Sequence, residues 1–393
     1  MPWKATCPMD ERVALLADWL RGEWTPTELA ARYTISRKTV YKWVDRYVTD
    51  SRHGLEERSR APHTHGRAMA ADVAGAIVAL REGHPQWGPK KLRAVLQERE
   101  PSRPWPVAST IGDLLRRAGL SQPRRRRRYP VPLTQPLAAA QAPNDVWAAD
   151  FKGWFRTRDG TRCDPLTVND AFSRYALCCQ IVEPSERGVR PWFERVFREY
   201  GLPRALRTDN GPPFATTGAG RLSHLAVWWW KLGIHVDRIA PGHPEQNGRQ
   251  ERFHLTLQQE ASTPPAATRA AQQARFDRVR QVYNDERPHE ALGQQPPARV
   301  YAASTRPYPA RLEEPWYDAT HAVRRVKESG QIKWHGDLVF ISEAVRGEWV
   351  GLAETACGDW IVRFMQIELG RIDRTTRRFT PAWPKRLSGP GPR

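Results

Sequence analysis

The chain of 393 residues lacks any apolar run long enough to cross a membrane. A transmembrane helix needs roughly 20 consecutive apolar residues, and charged residues interrupt every apolar stretch well short of that length. The first ten residues include Trp, Cys, Pro and Asp, without the apolar centre of a secretion signal. We therefore expect a cytoplasmic protein that has neither a membrane span nor a signal peptide.

Cysteine is also scarce in this sequence. There are five cysteines, an odd number, and no two of them form a CxxC pair. This argues against a disulfide framework and against a cysteine-based zinc site. The pattern is typical of a protein that works in a reducing compartment.

Acidic residues are too few to balance the basic ones. The chain has 62 Lys and Arg against 43 Asp and Glu, which gives a formal net charge of +19. More than half of this excess lies in the first third of the sequence. Such a surplus predicts a polyanionic partner, of which nucleic acid is the commonest. Hydrophobic residues make up 40%, enough for packed cores, which excludes a wholly disordered chain.

The segment 10–48 has the pattern of a small helical DNA-binding module. Asp10, Thr25 and Ser36 are expected to cap three successive helices. A helix, a short turn and a second helix that begins with basic and hydroxyl side chains form the helix-turn-helix arrangement, with a plain three-helix bundle as the alternative. The candidate DNA contacts on the third helix are Arg37, Lys38, Thr39, Tyr41 and Lys42.

A second module of the helix-turn-helix or winged-helix kind is predicted over 66–121, where Gly88 and Ser109 are expected to start its last two helices. The following segment, 122–143, combines a run of five arginines with several prolines, which predicts an extended basic linker. It serves either as a solubilising tether or as a charged strand that follows DNA phosphates. In the second case the candidate contacts are Arg124, Arg125 and Arg126.

Two aspartates in the middle of the chain stand in unusual surroundings. Asp150 lies inside the aromatic and apolar segment 146–155, which predicts a strand, and Asp209 ends a short strand before the turn Asn210-Gly211. A carboxylate on the buried side of a sheet is costly unless something compensates its charge. Each acid alone is better explained by a surface charge or a cap. Together with a glutamate at a helix start, they predict a three-carboxylate site for Mg²⁺ or Mn²⁺.

Three strings of residues in this region carry a family resemblance. They are WAADFKG from Trp147, RTDNGPPF from Arg207 and PGHPEQNGRQER from Pro241. They resemble bacterial insertion-sequence transposases of the retroviral-integrase-like superfamily, which has an Asp, Asp, Glu catalytic triad. A later string, YNDERPHEAL from Tyr283, resembles the segment that closes the catalytic domain. The resemblance implies a ribonuclease H-like core over 144–303, with a mixed five-stranded sheet flanked by helices.

The resemblance makes Asp150 and Asp209 the first two members of the triad and leaves two glutamates for the third. Spacing favours Glu245, because 35 residues separate it from Asp209, as in the pattern for which the superfamily is often named. The local integrase pattern, in which a Gly precedes the catalytic Glu by three positions, matches Gly248 and Glu251 instead. We take Glu251 as the third carboxylate and keep Glu245 as the alternative.

The resemblance also implies an activity and its partners. The triad would hold two Mg²⁺ or Mn²⁺ ions, water would cleave the strand at the element end, and the freed 3′-hydroxyl would attack target DNA. The partners would be double-stranded DNA, both terminal inverted repeats and target, and further copies of this chain in a dimer or higher multimer. A non-catalytic DNA-binding regulator and a nuclease without strand transfer are the alternatives. Candidate DNA contacts near the triad are Lys152, His243, Arg249, Arg252 and His254.

The C-terminal part alternates short apolar and polar stretches over 320–372, which predicts a small antiparallel β barrel within 315–380. It is similar to the SH3-like C-terminal domain of integrases. The basic residues of 381–393 are expected to form a flexible tail. Together with a helix-turn-helix domain over 1–55, the chain is predicted to be a multidomain α/β protein.

Overall fold

The structure is a computed structural model that describes residues 7–58, 69–121, 140–238 and 248–382. The chain divides into two compact units, Met1–Ala70 and Ala71–Arg393. The candidates Arg124, Arg125 and Arg126, and also His243 and Glu245, lie outside the described residues. Within the described ranges, no helix is both long and apolar enough to span a membrane.

The first unit contains three α-helices. Thr25 and Ser36 cap the second and third through their side-chain oxygens, as predicted. The prediction that Asp10 caps the first helix was wrong, because Cys7 is the N-cap and Asp10 lies in the first turn, where it accepts a hydrogen bond from the Cys7 N–H. Proline suits the first helical position, and Pro8 fixes this earlier start. The helices are α1 (Pro8–Arg21), α2 (Pro26–Arg32) and α3 (Arg37–Asp50).

The second unit opens with three more helices. Gly88 precedes the second of them, as predicted. The third begins before Ser109, because Val107 is its N-cap and the Ile111 N–H already donates to the Val107 carbonyl. The predicted cap at Ser109 was therefore wrong by two residues. The helices are α4 (Ala71–Gly83), α5 (Pro89–Arg99) and α6 (Ala108–Arg117).

A mixed five-stranded sheet follows, as the resemblance implied. Its strand order is β5-β4-β1-β6-β7, and β2 and β3 form a separate hairpin. The neighbours β5, β4 and β1 are antiparallel, whereas β1, β6 and β7 are parallel. The parallel strands therefore end at the same edge of the sheet. The strands are β1 (Val146–Phe151), β2 (Phe155–Arg156), β3 (Arg162–Cys163), β4 (Pro165–Asp170), β5 (Ala176–Ile181), β6 (Ala205–Thr208) and β7 (His235–Arg238).

Strand β1 is shorter than the predicted strand over 146–155. It ends at Phe151, and Gly153 then turns the chain with a φ of +90°, a conformation that glycine adopts without strain. Asp150 is therefore the last but one residue of β1 and not a mid-strand residue. This correction brings Asp150 to the edge where β6 also ends.

Four helices cover the two faces of this sheet. Helices α7 and α8 bury Phe193 and Trp229 against one face. Helices α9 and α10 bury Phe253 and Phe276 against the other, and a π-helical turn follows α9. The helices are α7 (Glu186–Tyr200), α8 (His224–Lys231), α9 (Gly248–Leu257) and α10 (Arg269–Asp285).

The C-terminal region is antiparallel, as predicted. It forms a five-stranded sheet in the order β14-β13-β12-β11-β8 and a two-stranded sheet of β9 and β10. Its apolar core is continuous with α8, since Val227 belongs to the same buried cluster as Val350 and Leu352. The strands are β8 (His321–Arg325), β9 (Gln331–Trp334), β10 (Asp337–Phe340), β11 (Trp349–Glu354), β12 (Trp360–Phe364), β13 (Ile367–Ile372) and β14 (Phe379–Pro381).

Candidate active site

The sheet brings Asp150 and Asp209 side by side. In the parallel pairing of β1 and β6, Ala149 lies opposite Thr208, and the same register continued by one residue places Asp150 opposite Asp209. Side chains alternate between the faces of a strand. Because Ala149 packs into the cluster under α7 and α8, Asp150 points to the other face, the one that α9 covers. The two predicted aspartates therefore meet at one edge of the sheet.

The carboxylate of Asp209 has the surroundings of a cation ligand. Burial raises the pKa of Asp209, and a hydrogen bond from the Gly211 N–H opposes this only in part. Its Oδ1 atom is buried and has no hydrogen-bond partner within the described residues. A desolvated carboxylate oxygen without a donor is expensive unless a cation neutralises it. A carboxylate of this kind, on Asp209, suits a hard divalent ion such as Mg²⁺.

Helix α9 is fixed to the face that carries these aspartates. The buried side-chain amide of Gln250 donates to the Ala148 carbonyl at 3.1 Å and to Thr167 Oγ1 at 3.2 Å. Thr167 lies opposite Asp150 in β4, donates to the Asp150 carbonyl at 3.0 Å, and lies 2.8 Å from His254 Nε2. These contacts align α9 along β1. The sequence analysis missed Gln250 and Thr167, although Gln250 lies within the string that carries the resemblance.

Glu251 lies in the first turn of α9, as predicted, and is exposed to solvent. Three residues further along α9, His254 contacts Thr167. Just after the helix, Gln258 accepts a hydrogen bond from Lys152, which follows β1. This side of α9 therefore runs along the end of β1. Among the described residues, no three His, Cys, Asp or Glu side chains lie close enough to hold one metal ion. The register of β1 and β6 places the two aspartates opposite each other, and Glu251 is exposed in the first turn of α9.

The other candidate DNA contacts, on α9 and just after β1, differ in how far they are exposed to solvent. Arg252 is exposed, whereas Arg249 is half-buried and donates to the Ala171 carbonyl at 2.7 Å. Burial is the main reason that the pKa of Arg249 falls to about 10, and it also lowers the pKa of Lys152. Burial lowers the pKa of His254 to about 4, so this ring is neutral at pH 7. The ring makes a hydrogen bond with Thr167.

The predicted recognition helix α3 presents its basic side to solvent. Val40 and Trp43 are buried in the core of the first unit, and they fix which side of α3 faces outward. Thr39 is half-buried, and its backbone N–H donates to the capping Ser36. This is the orientation that a helix needs to enter the major groove of DNA. The exposed candidate residues are Arg37, Lys38, Tyr41 and Lys42.

The segment that closes the catalytic region has a structural role in this fold. Asn284 accepts a hydrogen bond from the Ala176 N–H at 2.8 Å and donates to the Ala176 carbonyl at 3.0 Å. Arg287 pairs with Glu260. His289 is largely buried, which is the main reason that its pKa falls to about 3. These side chains hold the end of α10 against β5 and the turn after α9.

Family comparisons agree with this architecture. Two integrase core domain models match residues 140–244 and 232–297. A helix-turn-helix domain model matches residues 11–63, and a homeodomain-like model matches residues 39–115. The C-terminal domain of the IS481 family transposases matches residues 321–380. Along the chain, the matches thus run from helix-turn-helix models through the integrase core to a transposase C-terminal domain.

Two proteins of insertion elements are similar in sequence to this chain. A 31.7 kDa protein of insertion element IS407 from Burkholderia multivorans is 32% identical over 248 residues, which cover 62% of this chain and 86% of the relative. A 39.2 kDa protein of insertion element IS476 from Xanthomonas euvesicatoria is 31% identical, with 62% and 68% covered.

Among solved structures, the integrase catalytic core of HTLV-2 in complex with magnesium is similar, with 14% identity and a TM-score of 0.33. That similarity covers 41% of this chain and 99% of the viral one. A simian T-cell lymphotropic virus intasome in complex with a regulatory subunit of PP2A covers 79% of this chain at a TM-score of 0.35. On the matches to insertion-element proteins and domain models, the chain belongs to the bacterial insertion-sequence transposases with an integrase core domain.

Proposed function

We propose that this transposase cleaves the ends of its insertion sequence and joins the freed 3′-hydroxyls to target DNA. The observation that carries the proposal is the parallel register of β1 and β6, which continued by one residue places Asp150 opposite Asp209, together with a buried and unpaired oxygen on Asp209. Such a pair, beside a helix that carries an acid in its first turn, is the arrangement that divalent-metal phosphodiester chemistry needs.

Three acidic residues would act as the metal ligands. Asp150 and Asp209 would hold the divalent ions, and Glu251 would complete their ligands from the first turn of α9. The bound ions supply Lewis acidity, which activates the attacking hydroxyl group and stabilises charge on the phosphodiester. Gln250 and Thr167 would keep α9 aligned with β1, the strand that carries Asp150. We propose two Mg²⁺ or Mn²⁺ ions for each site.

The same chain would select the DNA on which it acts. The exposed basic side of α3 would contact the terminal inverted repeats, and the integrase core would engage both the element end and the target. The two ends of an element must be processed together, so we propose that at least two copies of the chain assemble on DNA.

An end-cleavage assay tests the metal ligands. Labelled element-end duplex is incubated with Mg²⁺ or Mn²⁺ and with wild type, Asp150→Asn, Asp209→Asn or the exposed control Asp285→Asn. We expect either active-site variant to lose about 100-fold or more in rate, because a ligand to the ions is lost, and the control to keep its rate. Wild-type rates in Asp209→Asn would refute the assignment. Metal-independent DNA binding without cleavage by the wild type would favour the regulator.

A further inference from the structure

A groove lies between two strand edges of the C-terminal region. Strand β10 pairs only with β9, and β14 pairs only with β13, so each has an edge without a partner among the described strands. Both strands line the same groove, which has a volume of about 750 Å³. Its third side belongs to the catalytic region and consists of 216–219 and the start of α8. We name this feature the β10–β14 groove.

Apolar side chains line this groove and are open to solvent. Leu338 and Phe340 of β10 are 53% and 51% exposed. Phe379 and Pro381 of β14 add further apolar surface and are half-buried. Apolar surface that is contiguous and exposed marks a place where another apolar group binds.

The charged side chains at the groove give no reason to expect an ionic ligand. Arg377 already pairs with Asp337 at 2.7 Å. Glu343 and Arg378, which have opposite charges, also line the groove. The lining residues therefore favour an apolar occupant over an anion or a cation.

The chain itself supplies an apolar residue immediately after β14. Pairing persists to the last described residue, because the Ala382 N–H donates to a carbonyl of β13 at 2.9 Å. Side chains alternate between the two faces of a strand. Phe379 and Pro381 line the groove, whereas Thr380 between them does not. Trp383 is the next residue in this alternation, so the same period assigns it to the groove side.

The indole of Trp383 has the chemistry that the groove needs. A tryptophan side chain buries roughly 150 to 250 Å² when it packs. Contact with Leu338 and Phe340 would remove apolar surface of all three side chains from water. We propose that Trp383 docks in the β10–β14 groove of its own chain and thereby joins the C-terminal sheet to the catalytic region. This narrows the tail expected from the sequence to the residues that follow Trp383.

The docked ring would brace the stretch of chain that follows Asp209. Residues 216–219, which line the groove, belong to the connection between Asp209 and α8. The far end of this connection is fixed, since the Ser223 hydroxyl donates to the Phe214 carbonyl at 2.8 Å. The inference goes beyond the proposed function and does not depend on whether the chain joins DNA.

Photo-crosslinking of the full chain tests the docking directly. The photoreactive residue p-benzoylphenylalanine replaces Trp383 in one protein and Trp316 in the control. Trp316 is 82% exposed and is not among the residues that line the groove. Products are separated by size and mapped by mass spectrometry. We expect the probe at 383 to cross-link to 338–342 or 216–219 at the size of a single chain, and the probe at 316 to give neither product.

Hydrogen exchange is the second measurement. We expect Trp383→Ala to raise the rate of amide exchange over 338–342 by about tenfold, because the ring no longer covers this strand edge. Trp316→Ala is the matched control, since it removes an exposed indole outside the groove, and it should leave these rates as they are in wild type.

Each outcome supports or overturns the inference. Cross-links to the groove that appear only at the size of two chains would assign the groove to Trp383 of a second copy and overturn docking within one chain. Cross-links that all lie outside the groove, or the absence of any, would overturn docking altogether. Unchanged exchange in a Trp383→Ala protein that keeps its melting temperature would do the same. Neither measurement contains DNA, so a failure here leaves the proposed function intact.

Discussion

At the scale of single residues, Asp209 carries a charge that its surroundings do not favour. Burial raises its pKa, so the folded state takes up a proton at a higher pH than the unfolded state does. The metal-free protein should therefore gain stability as the pH falls through the folded pKa, and lose that contribution as the pH rises. We expect Asp209→Asn to remove this contribution from the pH profile of urea unfolding. An unaltered profile in the variant would mean that the carboxylate is not desolvated in solution.

His289 should have the opposite effect on how stability changes with pH. Its pKa in the folded state is about 3, because the ring is buried and near several cations. The unfolded chain takes up a proton near pH 6.5, so stability should fall as the pH drops from about 6.5 toward 3. His289→Asn should flatten the profile in that range, as measured by urea unfolding. Gln281→Asn, an exposed change on α10 that alters no titratable group, is the control and should leave the acid limb as it is in wild type.

Metal binding offers a readout that does not depend on catalysis. A ligand that binds only the folded state stabilises it, by about 1.4 kcal/mol at ten times its dissociation constant. Mg²⁺ or Mn²⁺ should therefore raise the melting temperature of the wild type by about 3 °C under those conditions. Asp150→Asn and Asp209→Asn should lose this rise, and Asp285→Asn should retain it. Equal shifts in all four proteins would show that the ions bind elsewhere.

At the scale of elements, the amide of Asn284 is one of the groups that hold α10 to the sheet. Asn284 accepts from the N–H of Ala176 on β5 and donates to its carbonyl, to which Arg280 also donates. Asn284→Ala leaves the buried Ala176 N–H without this acceptor, and we expect it to lower the free energy of unfolding by about 1 to 3 kcal/mol. Urea unfolding measures this loss. Arg278→Ala, an exposed change on the same helix, should cost less than about 0.5 kcal/mol.

Local signals predicted most of these elements, and the errors have local causes. Thr25 and Ser36 cap helices because their hydroxyl groups reach a backbone N–H three residues on, a pattern visible in the sequence. Asp10 and Ser109 suit a cap equally well, yet in each case the helix begins two or more residues earlier. The end of β1 depends on the conformation of Gly153, which residue patterns alone did not reveal.

At the scale of the whole molecule, the C-terminal sheet and the catalytic region share one apolar core. Val227 of α8 packs in the same cluster as Val350, and Lys231 pairs with Glu348 at 2.9 Å. A protein shortened to end at Arg311 would expose the side of α8 that carries Val227. We expect the shortened protein to melt at a clearly lower temperature and to be digested faster by trypsin than the full chain. Unchanged melting of the catalytic region would show that the sheet is an independent domain.

The sequence predicted the components of the molecule better than the way they fit together. The two aspartates and their strands were evident from the motifs, and the parallel register of β1 and β6 agrees with the prediction that the two residues lie side by side. The shared core around Val227 depends on contacts between distant parts of the chain, which periodicity does not record. The choice between Glu245 and Glu251 stays a prediction, because spacing and local pattern favour different residues.

The most direct test of the account is a strand-transfer assay. Wild type, Glu251→Gln and Glu245→Gln are each incubated with labelled element-end DNA, supercoiled target plasmid and Mg²⁺ or Mn²⁺. The account predicts joined product from wild type and from Glu245→Gln, and none from Glu251→Gln. Joined product from Glu251→Gln, with loss in Glu245→Gln, would contradict the assignment of the third carboxylate. A wild type that binds the ends and joins none would contradict the proposed activity itself.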